Sequence, residues 1–569
     1  MGISATVFET AGKRTEHRKP GVYTRRNNVK SGTGAPSQSL VVLGQSIGGK
    51  PNTLLDFSDI SEARNALVGG SLLDGIAHAF TGSKDFVPQR VYGFRVNKGT
   101  RSEITLKSGA EDIITLRSKD YGIHTNQIKI WVKEGSIPQS KKALVSFKGN
   151  NVDTGDIVKK SLSILYTGAG ATATVSIAAS GITLADDESL VITWEECETI
   201  DDLVARINDT GKYTATVLDV TPNAKTKELD TIQNVSVKGT AAVLYSNLAA
   251  FISALKLKAG QVIGEVEVVS TAVRVTPEAT EGYEYFSGAT AGTYNIADWV
   301  ESLELLEKEN VQSITTPCDD HDVQVLIVNH CVTMSTVPKK RERQYLLGAP
   351  MGTSLEDGLA LAAEFGSDLG TVVIDDAFAS NPLTGSKENI PPALLACKAA
   401  GMEAAMGIAT PLTNKKVNVT SFGKKWTDGE FDKMIAGGIM PFGTNDDGDY
   451  VIIRAMTTCQ DDNLASNERS CVREALYMDR DFRKAFSRKI GNADEPSESD
   501  VIDLLKKRAK VWKRMGMITN SVDGELVWGI KVRFDGDATF VEYTRNLRTP
   551  NNFIFSTANN EIYRSAEAD

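Results

Sequence analysis

The segment Gly44-Gln45-Ser46-Ile47-Gly48-Gly49-Lys50-Pro51 is the nearest approach to a chemical motif in this sequence. It matches G-x-x-x-x-G-K and follows an apolar run, Ser39-Leu40-Val41-Val42-Leu43, as a phosphate-binding P-loop would. The next position breaks the match. A P-loop carries a Ser or Thr there to bind Mg²⁺; Pro51 supplies neither a hydroxyl nor a backbone N–H. A plain strand-to-helix turn rich in glycine accounts for the same residues and is the favoured reading.

Cys318, His321, His330 and Cys331 put thiol and imidazole ligands within a short stretch, and Cys318-x-x-His321 alone has a zinc-like spacing. His330 and Cys331 are adjacent, so on a helix they point about 100° apart, and converging both on one tetrahedral ion requires local unwinding. Buried cysteines and hydrogen-bonded histidines are the better expectation. For nucleophilic catalysis the chain has five His (His17, His78, His124, His321, His330) and no G-x-S-x-G elbow. Asp375-Asp376 follows an apolar strand, where open α/β sheets place active-site groups, but carboxylates there more often cap the next loop. No catalytic residue, cofactor site or metal site is assigned, and an enzyme is not expected.

The elements that would have to position such groups belong to a large chain. At about 150 residues per domain, 569 residues predict roughly four domains. With 41% hydrophobic and 24% charged residues the composition is globular, and a net charge of -10 argues against a surface that clings throughout to nucleic acid or anionic lipid. No window reaches the roughly 20 apolar residues that span a bilayer, and Met1 to Pro20 has no apolar signal core, so the expectation is a soluble product made in the cytosol. The six Cys are spread over long spacings and read as reduced thiols.

Residues up to Ser39 are too polar to fold alone and suggest an extended arm. From about Arg101 to Val273 short alternating runs such as Ile128 to Val132 and Ala173 to Ile177 predict one or two β-rich domains, with a helix at Asp201 to Asp209. From Asn295 helices and strands alternate: strands at Val311 to Thr315, Gln344 to Leu347 and Thr371 to Ile374, helices at Val323 to Met334, Leu355 to Phe365 and Pro391 to Met406. That rhythm predicts a largely parallel sheet with helices on both faces. From about Lys415 an α+β unit is expected, with amphipathic helices over Ser466 to Ile490 and Val501 to Met515. A hairpin should turn at Asp535-Gly536 between Ile530 to Phe534 and Thr539 to Tyr543.

Two features remain that no enzyme reading uses. On the Val501 to Met515 helix, Val501, Leu505, Trp512 and Met515 form the apolar stripe, while Lys506, Lys507, Lys510, Lys513 and Arg514 crowd the rest against Asp503 alone. In an acidic chain this suggests docking to an acidic partner, with a solvated face as the alternative. At the chain ends, Gly21-Val22-Tyr23 and Phe553-Ile554-Phe555 are strand-like islands in polar surroundings, like strands that lack a sheet.

Pro20-Gly21-Val22-Tyr23 resembles the opening of the contractile tail sheath proteins of myovirus-type phages and related injection systems. Leu40 to Gly44 with its glycine-rich loop and Phe57 to Leu67 are similar to the next sheath segment. Asp120-Tyr121-Gly122 to Ile128 is similar to another, with His124-Thr125 where a glycine is usual. Phe286 to Gly292, Pro391-Pro392-Ala393, Tyr450 to Thr458, and Val541 to Tyr543 through Phe553 to Phe555 resemble the later domains.

The resemblance implies a multidomain α/β and α+β fold. Its parts would be an N-terminal arm (1–38), a first part of the core (39–100), β-rich inserted domains (101–285), a subtilisin-like, non-catalytic α/β domain (286–410), a C-terminal α+β domain (411–549) and a C-terminal arm (550–569). It implies a homo-oligomer of stacked hexameric rings around a tail tube protein, with baseplate and terminator proteins at the ends. No membrane and no direct nucleic-acid contact is implied, and the place of action is the virion tail, assembled in the host cytoplasm. Inter-subunit strand exchange would use Gly21, Val22, Tyr23, Phe553, Ile554 and Phe555; Lys506, Lys507 and Lys510 would face the tube. The competing reading is a cytosolic α/β hydrolase or nucleotide-binding enzyme.

Overall fold

The computed structural model describes residues 6–10, 13–17, 39–487, 497–535 and 538–558. Residues 1–38 form a unit by themselves. Within it Thr6–Thr10 pairs antiparallel with Lys13–His17, Thr6 opposite His17 and Thr10 opposite Lys13. The sequence reading of this region as a plain extended arm missed the hairpin, although Thr6, Val7, Phe8 and Thr15 are β-formers. Gly21, Val22 and Tyr23 lie outside the described residues.

The second unit, from Ser39 onward, is organised by a six-stranded sheet. Its order is Gly370–Val373, Gln344–Gly348, Ser313–Thr315, Leu40–Gly44, Val91–Arg95, Leu54–Phe57. All neighbours are parallel except the last pair, where Leu54 lies opposite Phe94 and Phe57 opposite Val91. Strand residues alternate between two cores, as period two demands. Leu40, Val42, Leu346 and Val373 pack with helices Ser71–Phe80 and Pro392–Ala405 on one face. Val41, Leu43, Ile314, Leu347 and Val372 pack with Ile296–Leu306, His321–Met334 and Leu355–Phe365 on the other. The alternation read from the sequence is therefore a sheet covered on both faces. Its two halves come from stretches more than two hundred positions apart, so 39–100 and 286–410 share one sheet.

The intervening chain leaves beside the point where it returns. Thr100 N–H donates to Thr290 O at 3.2 Å, and Arg95 Nη2 and Asn97 Nδ2 both donate to Ala291 O, at 2.9 and 2.6 Å. Between these points lie two β-rich bodies, one nested in the other. The outer has Ile114, Leu116, Ile130, Val132 and Val145 around the helix Asn247–Ala259. That helix was not expected, because its apolar residues leave no clear stripe. The inner spans about 160–245 and packs Leu162, Ile164, Val175, Ile192 and Trp194 against the helix Ile200–Asn208. Its two connections are adjacent: Lys160 lies opposite Tyr245, and Ser246 N–H donates to Lys159 O at 3.0 Å.

Towards the C-terminus, helices Arg469–Phe486 and Glu498–Arg514 join Tyr477, Met478, Leu505, Ala509 and Trp512 in a separate core. Buried charges tie the first of these helices to the main sheet. Arg469 donates from Nε and Nη2 to the two oxygens of Glu403 at 2.8 and 2.9 Å, and from Nη1 to Tyr345 O and Thr371 Oγ1. Arg473 lies 3.3 Å from the same carboxylate, and the two guanidinium groups hold Glu403 below the usual carboxylate range against the opposing effect of burial. Removing one member of such a buried group leaves an uncompensated charge, a loss of about 3–5 kcal/mol.

Candidate assembly surfaces

The chemical motifs of the sequence do not assemble into a reactive centre. In the glycine-rich loop, five successive backbone N–H groups already have protein acceptors. Gln45 N–H donates to Ser71 Oγ, Ser46 to Asn97 Oδ1, Ile47 to Gly69 O, Gly48 to Leu67 O, and Gly49 to Asp120 Oδ1, at 2.7–3.3 Å. The loop feeds an antiparallel edge strand, Leu54–Phe57, rather than a helix. The N–H cradle that would hold a phosphate is thus taken up by the fold.

Among the described residues no group of three or more His, Cys, Asp or Glu side chains could hold a metal ion. His321 is exposed and bonded to Glu364 at 3.1 Å, whereas His330 is buried against Arg343 Nη1 at 2.5 Å. Burial, with Arg343 next, lowers His330 to about 4 and keeps it neutral. Cys331 is fully buried in the sheet core, which lifts its thiol to about 12. Asp375 accepts from Trp426 Nε1 at 2.5 Å and Phe442 N–H at 3.0 Å, and burial raises it to about 7. Rather than capping the next loop, as the sequence reading favoured, it ties the end of its strand to two segments more than fifty positions further along the chain.

The distinctive surfaces lie near the C-terminus. Trp528–Asp535 pairs with Ala538–Thr544 through Val532 opposite Val541 and Phe534 opposite Thr539. Among the described residues these two strands form a complete sheet, so each presents an unpaired outer edge. One face, with Ile530, Val541 and Tyr543, rests on the C-terminal core; Phe534 and Phe540 are 45% and 49% exposed. A two-stranded ribbon with open edges is marginal alone and is a template for further strands.

Past the hairpin, Asn546–Leu547 pairs briefly with Ile518–Thr519, and the chain then runs on outside any strand, held by Arg548 N–H donating to Met517 O at 2.9 Å and Asn552 Nδ2 donating to Glu468 Oε2 at 3.5 Å. Phe553, Ile554 and Phe555 are 65%, 85% and 93% exposed. Among the described residues, the strand-like run expected here joins no sheet. Phe553 and Phe555 stack on each other with centroids 6.1 Å apart, and Arg454 lies 5.8 Å above the Phe553 ring.

The basic helix begins with a capping box, in which Ser497 Oγ accepts from Asp500 N–H and the Asp500 carboxylate accepts from Ser497 N–H. It ends at Gly516, whose φ of +80° suits the left-handed position past the last turn. Val501, Leu505, Ala509 and Trp512 are its buried stripe, and Arg508 turns inward to Asp481, which also accepts from Trp512 Nε1 at 2.7 Å. Lys506, Lys507 and Lys510 stay exposed and line a groove of about 320 Å³ with Asp503, Glu525, Leu526 and Val527. The groove thus combines three lysines, two carboxylates and two apolar side chains.

No family model matches the chain. Over 584 aligned residues, 97% of this chain and 97% of the relative, it is 24% identical to the tail sheath protein of Bacillus phage SP01. It is 23% identical to the tail sheath protein of Staphylococcus phage Twort over 70% of this chain and 72% of that one. Its relatives are tail sheath proteins. Solved structures of sheath tail proteins share the fold. One from Desulfitobacterium hafniense has a TM-score of 0.52 at 11% identity, covering 93% of this chain and all of that one. One from Listeria innocua has a TM-score of 0.54 at 11% identity, covering 90% and 96%. The β-rich bodies, open hairpin and exposed tail of this chain therefore sit in a fold of the sheath type.

Proposed function

We propose that this chain is a structural subunit of a contractile tail sheath, polymerising in stacked hexameric rings around the tail tube and shortening to drive the tube through the host envelope. The observation that carries the reading is a mismatch among the described residues: a two-stranded sheet with open edges and, a few residues further along the chain, an exposed apolar segment that joins no sheet. Both are satisfied when Phe553, Ile554 and Phe555 of one copy extend the hairpin of another, with Gly21, Val22 and Tyr23 as the second added strand. Each subunit then stays linked to its neighbours while the lattice changes length.

Lys506, Lys507 and Lys510 are the proposed tube contacts, meeting an acidic tube surface through charge. Baseplate and terminator proteins would bound the sheath at its ends in the virion tail. On this reading the six-stranded sheet with its two helix layers is the proposed subtilisin-like domain; it draws strands from both 39–100 and 286–410, so those two parts are taken as one split domain, with the inserted domains at 101–285, the α+β domain at 411–549 and the arms at 1–38 and 550–569. The nucleotide-binding alternative loses its motif to the occupied N–H groups of residues 45–49. Negative-stain microscopy of the purified protein tests the proposal. Striated hollow cylinders are expected, and a persistent monomer at high concentration would reject it.

A further inference from the structure

The outer inserted body carries a surface that the sheath reading leaves unused. Its four-stranded sheet has the order Asn150–Asp153, Lys141–Phe147, Lys129–Glu134, Glu284–Tyr285. Ile130, Val132, Ala143 and Val145 point into the core. Alternation therefore puts Lys129, Trp131 and Lys133 on the opposite, solvent side. The register lines up Tyr285, Lys129, Ser146 and Asn151 in one row across that side, and Trp131, Leu144 and Asp153 in the next. Three strand spacings give a platform of about 14 Å, the reach of a short oligosaccharide.

Aromatic rings are not needed for stability on an outward sheet face, yet three cluster here. Tyr283 and Tyr285 are 37% and 60% exposed. Trp131 lies 5.5 Å from Tyr283 between ring centroids and is fixed by donation from Nε1 to Thr280 O at 3.1 Å. The cations interleave with the rings: Lys133 Nζ lies 4.0 Å from the Trp131 centroid, and Lys129 Nζ 4.7 Å from that of Tyr283. Rigid amphipathic rings next to lysines suit a ligand with apolar ring faces and negative charge. Single-stranded nucleic acid shares those properties, but the same face presents Asp153, which disfavours a closely spaced phosphate backbone. Asn151 and Asp153 instead offer donors and acceptors of the kind that sugar hydroxyls use.

We infer that this face, built on Lys129, Trp131, Lys133, Tyr283 and Tyr285, binds an anionic glycan, with sugar rings stacked on the aromatic side chains and the charged substituents held by the two lysines. Carboxylated and phosphorylated or sulfated sugars share this chemistry. The test is binding of the full-length protein at low salt to immobilised alginate, a carboxylated glycan, and dextran sulfate, a sulfated one. Poly-glutamate and oligothymidylate serve as comparators. Binding to at least one glycan is expected, weakened about tenfold in the Tyr283→Ala/Tyr285→Ala variant. A lower salt dependence is expected in Lys129→Ala/Lys133→Ala. Tyr285→Ala alone, at the most exposed ring, is the milder variant in case the double one misfolds, and it should also weaken binding. Changing Lys506, Lys507 and Lys510 to Glu should leave glycan binding intact, which separates this surface from the proposed tube contact. Binding to neither glycan would overturn the inference, as would equal binding to poly-glutamate, tighter binding to oligothymidylate, or no effect of Tyr285→Ala.

Discussion

Replacing Phe553, Ile554 and Phe555 with Ala should raise the concentration at which sheaths form while leaving the monomer as stable as before. The three side chains are 65%, 85% and 93% exposed, so most of their apolar surface is available to a neighbour. At about 2 kcal/mol for full burial of a side chain of this size, covering them contributes roughly 5 kcal/mol per subunit, an upper figure because ordering the segment opposes it. Truncation to Ala removes about 3 kcal/mol of this, a factor on the order of 100 in the threshold concentration. Sedimentation of assembled material across a dilution series, with microscopy of the pellets, measures that threshold. Ile554→Pro is the sharper variant: it retains apolar surface but removes an N–H, so strand addition loses a ladder hydrogen bond and leaves an acceptor unpaired, about 1–3 kcal/mol. A triple Ala variant that assembles at the original threshold would refute the role of the segment. A Pro variant that does so would refute strand addition in favour of side-chain docking.

Three other outcomes follow. Changing Lys506, Lys507 and Lys510 to Glu should abolish co-assembly with the tube and spare polymers formed without it, seen as empty cylinders by microscopy. Burial lifts Glu474 to about 8, so its contribution to stability is complete below the ordinary carboxyl value and is lost as pH rises towards 8. Glu474→Gln should flatten that decline, giving the higher urea midpoint of the two proteins above pH 8. Replacing residues 160–245 by a short Gly/Ser linker should leave the main sheet folded, because Lys159 and Ser246 already touch; thermal unfolding and circular dichroism check this.

The sequence was most legible where local pattern and burial agree. The helix expected over Leu355 to Phe365 has those bounds, because Ser354 caps its start and Gly366 takes the left-handed position at its end. The basic helix showed its buried stripe in the spacing of Val501, Leu505 and Trp512. Less legible were elements whose surroundings come from far along the chain. Asn247–Ala259 buries Leu248, Phe251, Leu255 and Ala259 on one side, but exposed Leu257 and the alanines between them spread apolar residues around it, so its periodicity is faint. Leu54–Phe57 is a strand only because Val91–Arg95 lies beside it. At the assembly surfaces, Asp535-Gly536 announced the hairpin, but that no third strand of the described chain joins it is a tertiary fact with no local signature.

The paired necks of the inserted bodies have a mechanical consequence. The chain departs from and rejoins the main sheet at residues that touch, Thr100 with Thr290, and it enters and leaves the inner body in the same way, Lys159 with Ser246. The Glu403–Arg469 clamp between the central sheet and the C-terminal helices involves neither inserted body, so a pull between those parts can be carried without them. These bodies hang outside the load path as side-loads on a beam. A change in their size or surface chemistry leaves the residues of that clamp untouched.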